Sequence, residues 1–415
     1  MEDNIVSSKD SNKQGNNRQF FKGALFGALA VLLVGLLGII GWNFISGGYT
    51  EAGSAGKASE AKLQKLGRII DQYYLYDDKI DEQSLIDGIL SGYTAGLDDP
   101  YTTYYDKEKT KALLESSSGR YIGIGAVLTV QADTSQPVIT EVYRDSPAEK
   151  AGLKSGDILF QVDDHAMEGE SLSDIVAWIK GEEGTQVKLH VYRGEQKEEK
   201  VLTVVRDNVT ANTIYHSMEA NQTGYLRVVE FDDVTYDQFK EALDDLENQG
   251  MQGLVIDLRG NPGGNLDTAV DMLRLLLPKG TIVSTRDKNG QGEEYTCDGK
   301  HEFTKPLSVL VDGNSASAAE IFSSAIQDYG VGEIVGETTY GKGVAQSVIN
   351  LGDGTYMKLT TSEWLTSKGK NINKKGVIPD VEVKYQEDAE NPEADNQLDK
   401  ALEVVLDKIN ITVQP

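Results

Sequence analysis

PLSVLVDGNSASAAEIF (Pro306 to Phe322) and GETTYGKGVAQ (Gly336 to Gln346) decide the reading of this chain. Leu307 to Val311 is apolar at every position but Ser308, the pattern of a strand covered on both faces, and the polar DGN turn after it opens a helix predicted over Ser317 to Asp328. Ser317 and Lys342 stand 25 residues apart with little else of catalytic type between them. A serine hydroxyl attacks a carbonyl only beside a base, and a lysine serves as that base once burial has disfavoured its ammonium form. At a helix N-terminus the Ala318 N–H can face a developing oxyanion. Gln346, four residues past Lys342, can hydrogen-bond the amine. The pair implies covalent acyl transfer. The plainer alternatives are an S-x-x-E capping box made by Ser317 with Glu320, and a solvated loop lysine.

Further out, the elements alternate. TGYLRVVEF reads as a strand, YDQFKEALDDLENQG as a helix, GLVIDLR as a buried strand and LDTAVDMLRLLL as a helix, so residues 207–386 form an α/β domain with parallel strands. DLRGNPGG and DGNSASAAE both fall where strand ends meet helix starts, the place where such sheets bind ligands. GETTYGKG also matches a phosphate-binding loop, but Gly343 stands where Ser or Thr should hold magnesium, and nucleotide binding is set aside.

Upstream, residues 118–206 change to short strands with one helix after Ser171, which forms a capping pair with Asp174. The order of these strands, the Gly123 and Gly125 entry and the AGLKSGD segment resemble a PDZ domain. That resemblance implies a polypeptide C-terminus added as a strand beside Ile122, Gly123, Ile124 and Gly125, with Lys180 nearby. Residues 58–117 show helical stripes, Leu63, Leu66, Ile69 and Ile70 in one and Leu85, Ile86, Ile89 and Leu90 in another, read as core or a partner face. GGYTEAGSAGKA (47–58) reads as a flexible linker. GLDDPYTTYYD reads as a turn and says little.

No charge interrupts Gly23 to Thr50, and residues 23–46 are long enough to cross a bilayer. A cleaved signal peptide is the competing reading; its apolar run would be shorter. Lys9, Lys13, Arg18 and Lys22 place residues 1–22 in the cytoplasm and the rest outside a cell membrane crossed once. Forty basic against sixty-six acidic residues, a net charge of −26, disfavour nucleic acid. The single Cys297 cannot form an internal disulfide, and no Cys/His spacing suggests zinc. None of the four histidines stands beside a conspicuous motif, so a Ser-His-Asp triad lacks an obvious base. No metal and no cofactor are expected.

Taken together, DLRGNPGG, NSASAAEIF, GETTYGKG-x-x-Q and AGLKSGD resemble the carboxy-terminal processing (tail-specific) serine peptidases in their membrane-anchored Gram-positive form, over about residues 58–385. The resemblance implies a crotonase-like catalytic fold with Ser317 as nucleophile, Lys342 as general base and Gln346 as the orienting third member. It also implies an oxyanion hole from Ala318 with Gly263 or Gly264, supporting polar residues Arg259, Glu320, Asp328 and Thr339, and a homodimer. Lys180 departs from the arginine common at its place, which puts the coupling of tail binding to activity in doubt. The implied substrate is the C-terminal tail of an unfolded or secreted polypeptide. A non-catalytic PDZ adaptor and a regulatory protease that cuts one signalling partner are the rival functions. Residues 387–415 read as an acidic linker and a helix over Leu398 to Ile409, whose apolar stripe serves docking or dimerisation.

Overall fold

The computed structural model describes residues 51–413 except 132–135, 168, 195, 389 and 392–393, and only the backbone at 51, 52 and 410–413. The span expected at 23–46 lies outside these residues. Among the described ones no helix is long and apolar enough to cross a membrane.

The described residues up to Ile86 and those from Asp87 onward form two units. Helix α1 (Glu51–Tyr73) takes in residues 51–58 of the stretch expected to be a linker, whose first four residues lie outside the described ones. Gly53 and Gly56 cost about 1 kcal/mol each relative to alanine, while Ala55, Ala58 and Ala61 around them have the highest helix propensity of any residue. The expected apolar stripes are open: Leu66 and Ile69 of α1, and Leu85, Ile86 and Ile89 of α2 (Glu82–Ala95), are exposed. Strand β1 (Thr103–Tyr105) follows and pairs antiparallel with residues Tyr356–Lys358. The segment that said little in the sequence is thus built into the C-terminal domain. Asp106 then caps α3 (Lys107–Ser118), accepting the Lys109 N–H at 2.8 Å.

The next domain contains β2 (Arg120–Gly123), β3 (Ala126–Val130), β4 (Pro137–Val142), α4 (Pro147–Lys150), β5 (Ile158–Val162), β6 (His165–Ala166), α5 (Leu172–Ile179), β7 (Gln186–Arg193), β8 (Glu198–Val205) and β9 (Asp207–Thr210). Its main sheet runs β3-β4-β5-β7-β8, with β3 at an edge, while β2 pairs with β9. Alternate residues Val187, Leu189 and Val191 of β7 turn into a core with Ile139, Leu159 and Ile175. Ser171 caps α5 as expected, accepting the Asp174 N–H at 3.2 Å. At the other end, buried Arg206 donates to the carbonyls of Trp178 (3.0 Å) and Ile179 (2.7 Å), satisfying acceptors the helix leaves free.

The C-terminal domain contains β10 (Ile214–Glu219), β11 (Thr223–Val228), α6 (Thr235–Asn248), β12 (Gly253–Asp257), α7 (Leu266–Leu273), β13 (Gly280–Asp287), β14 (Glu294–Cys297), β15 (Leu307–Val311), α8 (Ala318–Tyr329), β16 (Glu333–Gly336), β17 (Val344–Asn350), β18 (Tyr356–Thr366), β19 (Val381–Glu382) and α9 (Asn396–Val413). One sheet runs β10-β11-β12-β15-β16-β19, parallel from β11 onward. Leu254, Ile256, Val309 and Val311 face a core with Phe239, Leu273 and Phe322 of α6, α7 and α8. Val255, Leu310 and Val335 face the other way, onto Ala401, Val404 and Val405 of α9. Between docking and dimerisation, that stripe of the last helix docks on its own sheet. A second, antiparallel sheet, β1-β18-β13-β14 with β17 beside β18, went unread in the sequence, because its strands mix polar and apolar residues without clean alternation.

Candidate active site

Ser317 ends the loop between β15 and α8 with φ 55° and ψ −114°, a left-handed conformation that a non-glycine residue holds only when its surroundings enforce it, at about 1–3 kcal/mol. The enforcement is visible. Asp312 Oδ1 accepts the N–H groups of Gly260, Asn314 and Ser315, each at 3.0 Å. Ser315 donates its hydroxyl to the Leu258 carbonyl (2.8 Å), and the Ala316 N–H donates to the Asn261 carbonyl (3.0 Å). The turns after β12 and β15 are therefore stitched together. Gly263, at φ 104°, lies so close that a Cβ there would meet the Ala316 carbonyl oxygen at 2.7 Å and Ser317 Cβ at 2.8 Å. Its own N–H is spent on Asn261 Oδ1 (2.8 Å). The N–H groups of Ala318 and Gly264 have no acceptor among the described residues, and both residues line the same cleft as Ser317.

Glu320, fully buried one turn into α8, accepts four hydrogen bonds. Oε2 takes the Ser317 N–H (2.9 Å) and the Lys342 N–H (2.8 Å); Oε1 takes the Thr339 hydroxyl and the Gly341 N–H, both at 2.6 Å. The half of the capping box contributed by Glu320 is thus present, and it extends to a second loop. GETTYGKG does cradle an anion through its backbone, and that anion is the chain's own carboxylate. The loop is pinned again by Trp364 Nε1, which donates to the Lys342 carbonyl at 2.8 Å. A Cβ at Gly343 would lie 2.5 Å from the Asn373 N, so glycine is required there by close approach. Lys342 is half-buried, and its Nζ makes no hydrogen bond or ion pair among the described residues. Burial first, and then the charge of Lys358, push the Lys342 pKa down, against the opposing pull of Glu320 and Asp99.

The Tyr101 ring lies under that amine, its centroid 4.7 Å from Nζ. Burial and a hydrogen bond with Tyr340 push the Tyr101 phenol up to about 12. Asp99 accepts the Thr102 hydroxyl (2.6 Å) and the Tyr101 N–H (3.1 Å), and Thr102 Oγ1 accepts the Thr360 N–H (3.1 Å). Against the penalty of burial, hydrogen bonds from Thr102, Thr360 and Tyr101, with the Lys342 charge, hold the Asp99 carboxyl below the usual range. Gln346 on β17 donates Nε2 to Thr360 Oγ1 (3.2 Å), joining this network; no hydrogen bond links it to Lys342. Sequence reading missed Asp99, Tyr101, Thr102 and Thr360, whose one signal was the tyrosine-rich turn itself.

Ser317, Ala318, Lys342 and Gln346 line one cleft of about 420 Å³. Thr339 stands behind it, its hydroxyl bonded to Glu320 and accepting the Val377 N–H (2.7 Å). Two expected supporting residues are elsewhere. Arg259 pairs with Asp257 and Asp395, both at 2.7 Å, fastening the start of α9 to the end of β12; the acidic linker is therefore tied down at its last residue. Asp328 is at the far end of α8, roughly 16 Å along the axis from Ser317, and accepts Ser367 Oγ (2.9 Å) and the Lys368 N–H (3.1 Å).

In the small domain, a groove of about 210 Å³ lies between the open edge of β3 and helix α5. Gly123, Ile124, Gly125 and Lys180 line it, with Tyr121, Leu128, Val176 and Ile179. Ile122 does not line it: β2 is engaged with β9, where Ile122 pairs with Asn208, so the free edge is that of β3. Lys180 Nζ is 3.5 Å from Glu115 and 5.8 Å from the Tyr121 ring centroid.

A cleft holding a serine at a helix N-terminus beside a desolvated lysine suits acyl transfer, and with an edge-strand groove on the preceding domain the class is a PDZ-bearing serine peptidase. The model of peptidase family S41 matches residues 222–383, that of a PDZ domain residues 138–193, and that of the activating protease CtpB N-terminal domain residues 47–109. The carboxy-terminal processing protease CtpA of Bacillus subtilis is 36% identical over 355 residues, covering 85% of this chain and 76% of that protein. A probable CtpA-like serine protease of Staphylococcus epidermidis is 32% identical, covering 93% and 78%. The solved photosystem II D1 C-terminal processing protease is 30% identical, covering 80% of this chain and 88% of that one, with a TM-score of 0.46. This chain belongs to peptidase family S41, among the carboxy-terminal processing serine proteases.

Proposed function

We propose that this peptidase is an endopeptidase anchored outside the cell membrane by residues 23–46, which takes the C-terminal tail of an unfolded or secreted polypeptide into the β3–α5 groove and cuts near that end. Ser317 Oγ attacks the scissile carbonyl while neutral Lys342 takes its proton, and the Ala318 and Gly264 N–H groups receive the oxyanion. The lysine returns that proton to the leaving amine. Water, deprotonated by Lys342, then hydrolyses the acyl-enzyme. Gln346 and Thr360 hold the wall beside the amine. The observation that carries this reading is the Glu320 carboxylate, which bonds the backbone of Ser317 and of Lys342 through the same oxygen and so fixes one loop against the other. The uncharged run after four basic residues supports the anchor, and the exposed stripes of α1 and α2 support a homodimer.

The test uses the full-length chain beside Ser317→Ala and Lys342→Ala, with an unfolded reporter ending in a free apolar carboxylate or its amide. Cleavage by the wild type, absent in both variants and slower on the amide, is the expected result. Its rate rises with pH through the depressed lysine pKa; a flat profile over about pH 5 to 9 would sink the lysine as base. Release from the membrane fraction on deletion of residues 1–46, and a dimer mass by light scattering, check the anchor and the assembly.

A further inference from the structure

Between the tail groove and the cleft lies a third cavity, of about 220 Å³, that shares Tyr121 and Lys180 with the groove and Ser116, Glu230 and Asp232 with the cleft. The three spaces follow one another from the small domain to Ser317. Glu230 and Asp232 therefore stand midway, two residues apart, bordering both the middle cavity and the cleft.

Their surroundings are unusual for carboxylates. Asp232 is 5% exposed, yet among the described residues its side-chain oxygens accept no hydrogen bond and meet no cation; its N–H and carbonyl bond Thr235 and Thr268. Glu230 is half-buried, and its carboxylate is equally without a partner among them. The charges Asp232 feels are those of Glu230 and Asp233, which add to burial in pushing its pKa up to about 7. Asp233 is exposed and bonded to Asn265 Nδ2 at 2.6 Å. Lys180, the one cation lining the middle cavity, is paired with Glu115. Burying charge without a counter-ion is costly, so a pair kept in this state along a substrate path favours a cation brought from outside.

We propose that Glu230 and Asp232 form a subsite for a lysine or arginine side chain of the polypeptide substrate, at a position between its C-terminal tail and the scissile bond. The inference rests on the peptidase reading of this cleft. The tail would supply binding in the groove and the basic residue would set register, so that substrates are selected by a charge inside the sequence as well as by their ends.

The test measures binding to the full-length Ser317→Ala chain by fluorescence anisotropy. The peptides share one apolar C-terminus, and a single Lys, Gln or Glu is walked through the preceding residues. At one or two positions Lys binds about tenfold tighter than Gln, and Glu more weakly than Gln. In the E230Q/D232N background the Lys-to-Gln ratio falls to within about twofold, whereas Asp232→Glu retains the preference. A ratio near one at every position, or a ratio that survives E230Q/D232N, overturns the subsite. Cleavage of the same peptides by the chain with Ser317 intact is read separately: its absence would count against the peptidase and leave the binding ratio standing.

Discussion

The Nζ of Lys342 stands 4.7 Å from the centroid of the Tyr101 ring, and the two residues come from segments more than two hundred positions apart. The ring both shields the amine from water, which favours its neutral form, and offers its negative face to the ammonium, which favours the charged form. Two substitutions separate these effects. Tyr101→Leu keeps bulk and loses the π face, worth about 0.5–2 kcal/mol, so the alkaline-rising limb of kcat/KM moves to lower pH by up to about 1.5 units. Tyr101→Ala admits water and relieves burial, the largest cause of the depressed lysine pKa, so the limb moves to higher pH. Shifts in the same direction would contradict the double role.

Glu320→Gln replaces an acceptor-only group by one that turns an NH₂ toward two of its four donors. The expected loss is about 3 kcal/mol of stability in urea unfolding. At temperatures where the variant remains folded, kcat falls more than KM rises, because the loops of Ser317 and Lys342 lose their common tie.

Gly263→Ala forces a methyl group into the Ala316 carbonyl and Ser317 Cβ at a φ of 104°. Both the clash and the backbone strain displace the Ser317 turn. Stability drops by about 1–3 kcal/mol, and reaction of Ser317 with a serine-directed phosphonate slows at least about tenfold. Unchanged labelling would show that the turn has more room than its geometry implies.

Asp232 gives a stability signature independent of substrate. Its pKa is raised from 3.8 to about 7, mainly by burial, so the folded chain holds a proton that the unfolded chain has already lost. Its contribution to stability therefore declines as pH rises from about 4 to 7 and stays low above that. Asp232→Asn carries no such penalty. Calorimetric Tm values for the variant should gain on the wild type across that window and run parallel above it; a constant difference would show an ordinary carboxylate.

Much of this was legible in one dimension. The largely apolar runs at Leu307–Val311 and Gly253–Ile256 read as strands covered on both sides, and Ser317 after the first of them reads as the opening of a helix. The Ser171 cap was equally local. Arg259 and Asp328 show the limit of that reading. Each is polar and near a motif, but where a side chain ends depends on what packs beside it, and these two meet Asp395 and Ser367.

The parallel strands and helices leading to Ser317, the serine at a helix start and the lysine held between glycines were set by the sequence alone, because periodicity, capping and turn chemistry act over a few residues. The shared Glu320 carboxylate, the Tyr101 ring under Lys342 and the unpartnered Glu230 and Asp232 were decided only by the tertiary structure. Each depends on groups 19 to 241 residues apart in the chain being brought into contact, or on a charge being denied a partner by everything around it. Burial and long-range pairing of that kind have no signature in neighbouring residues.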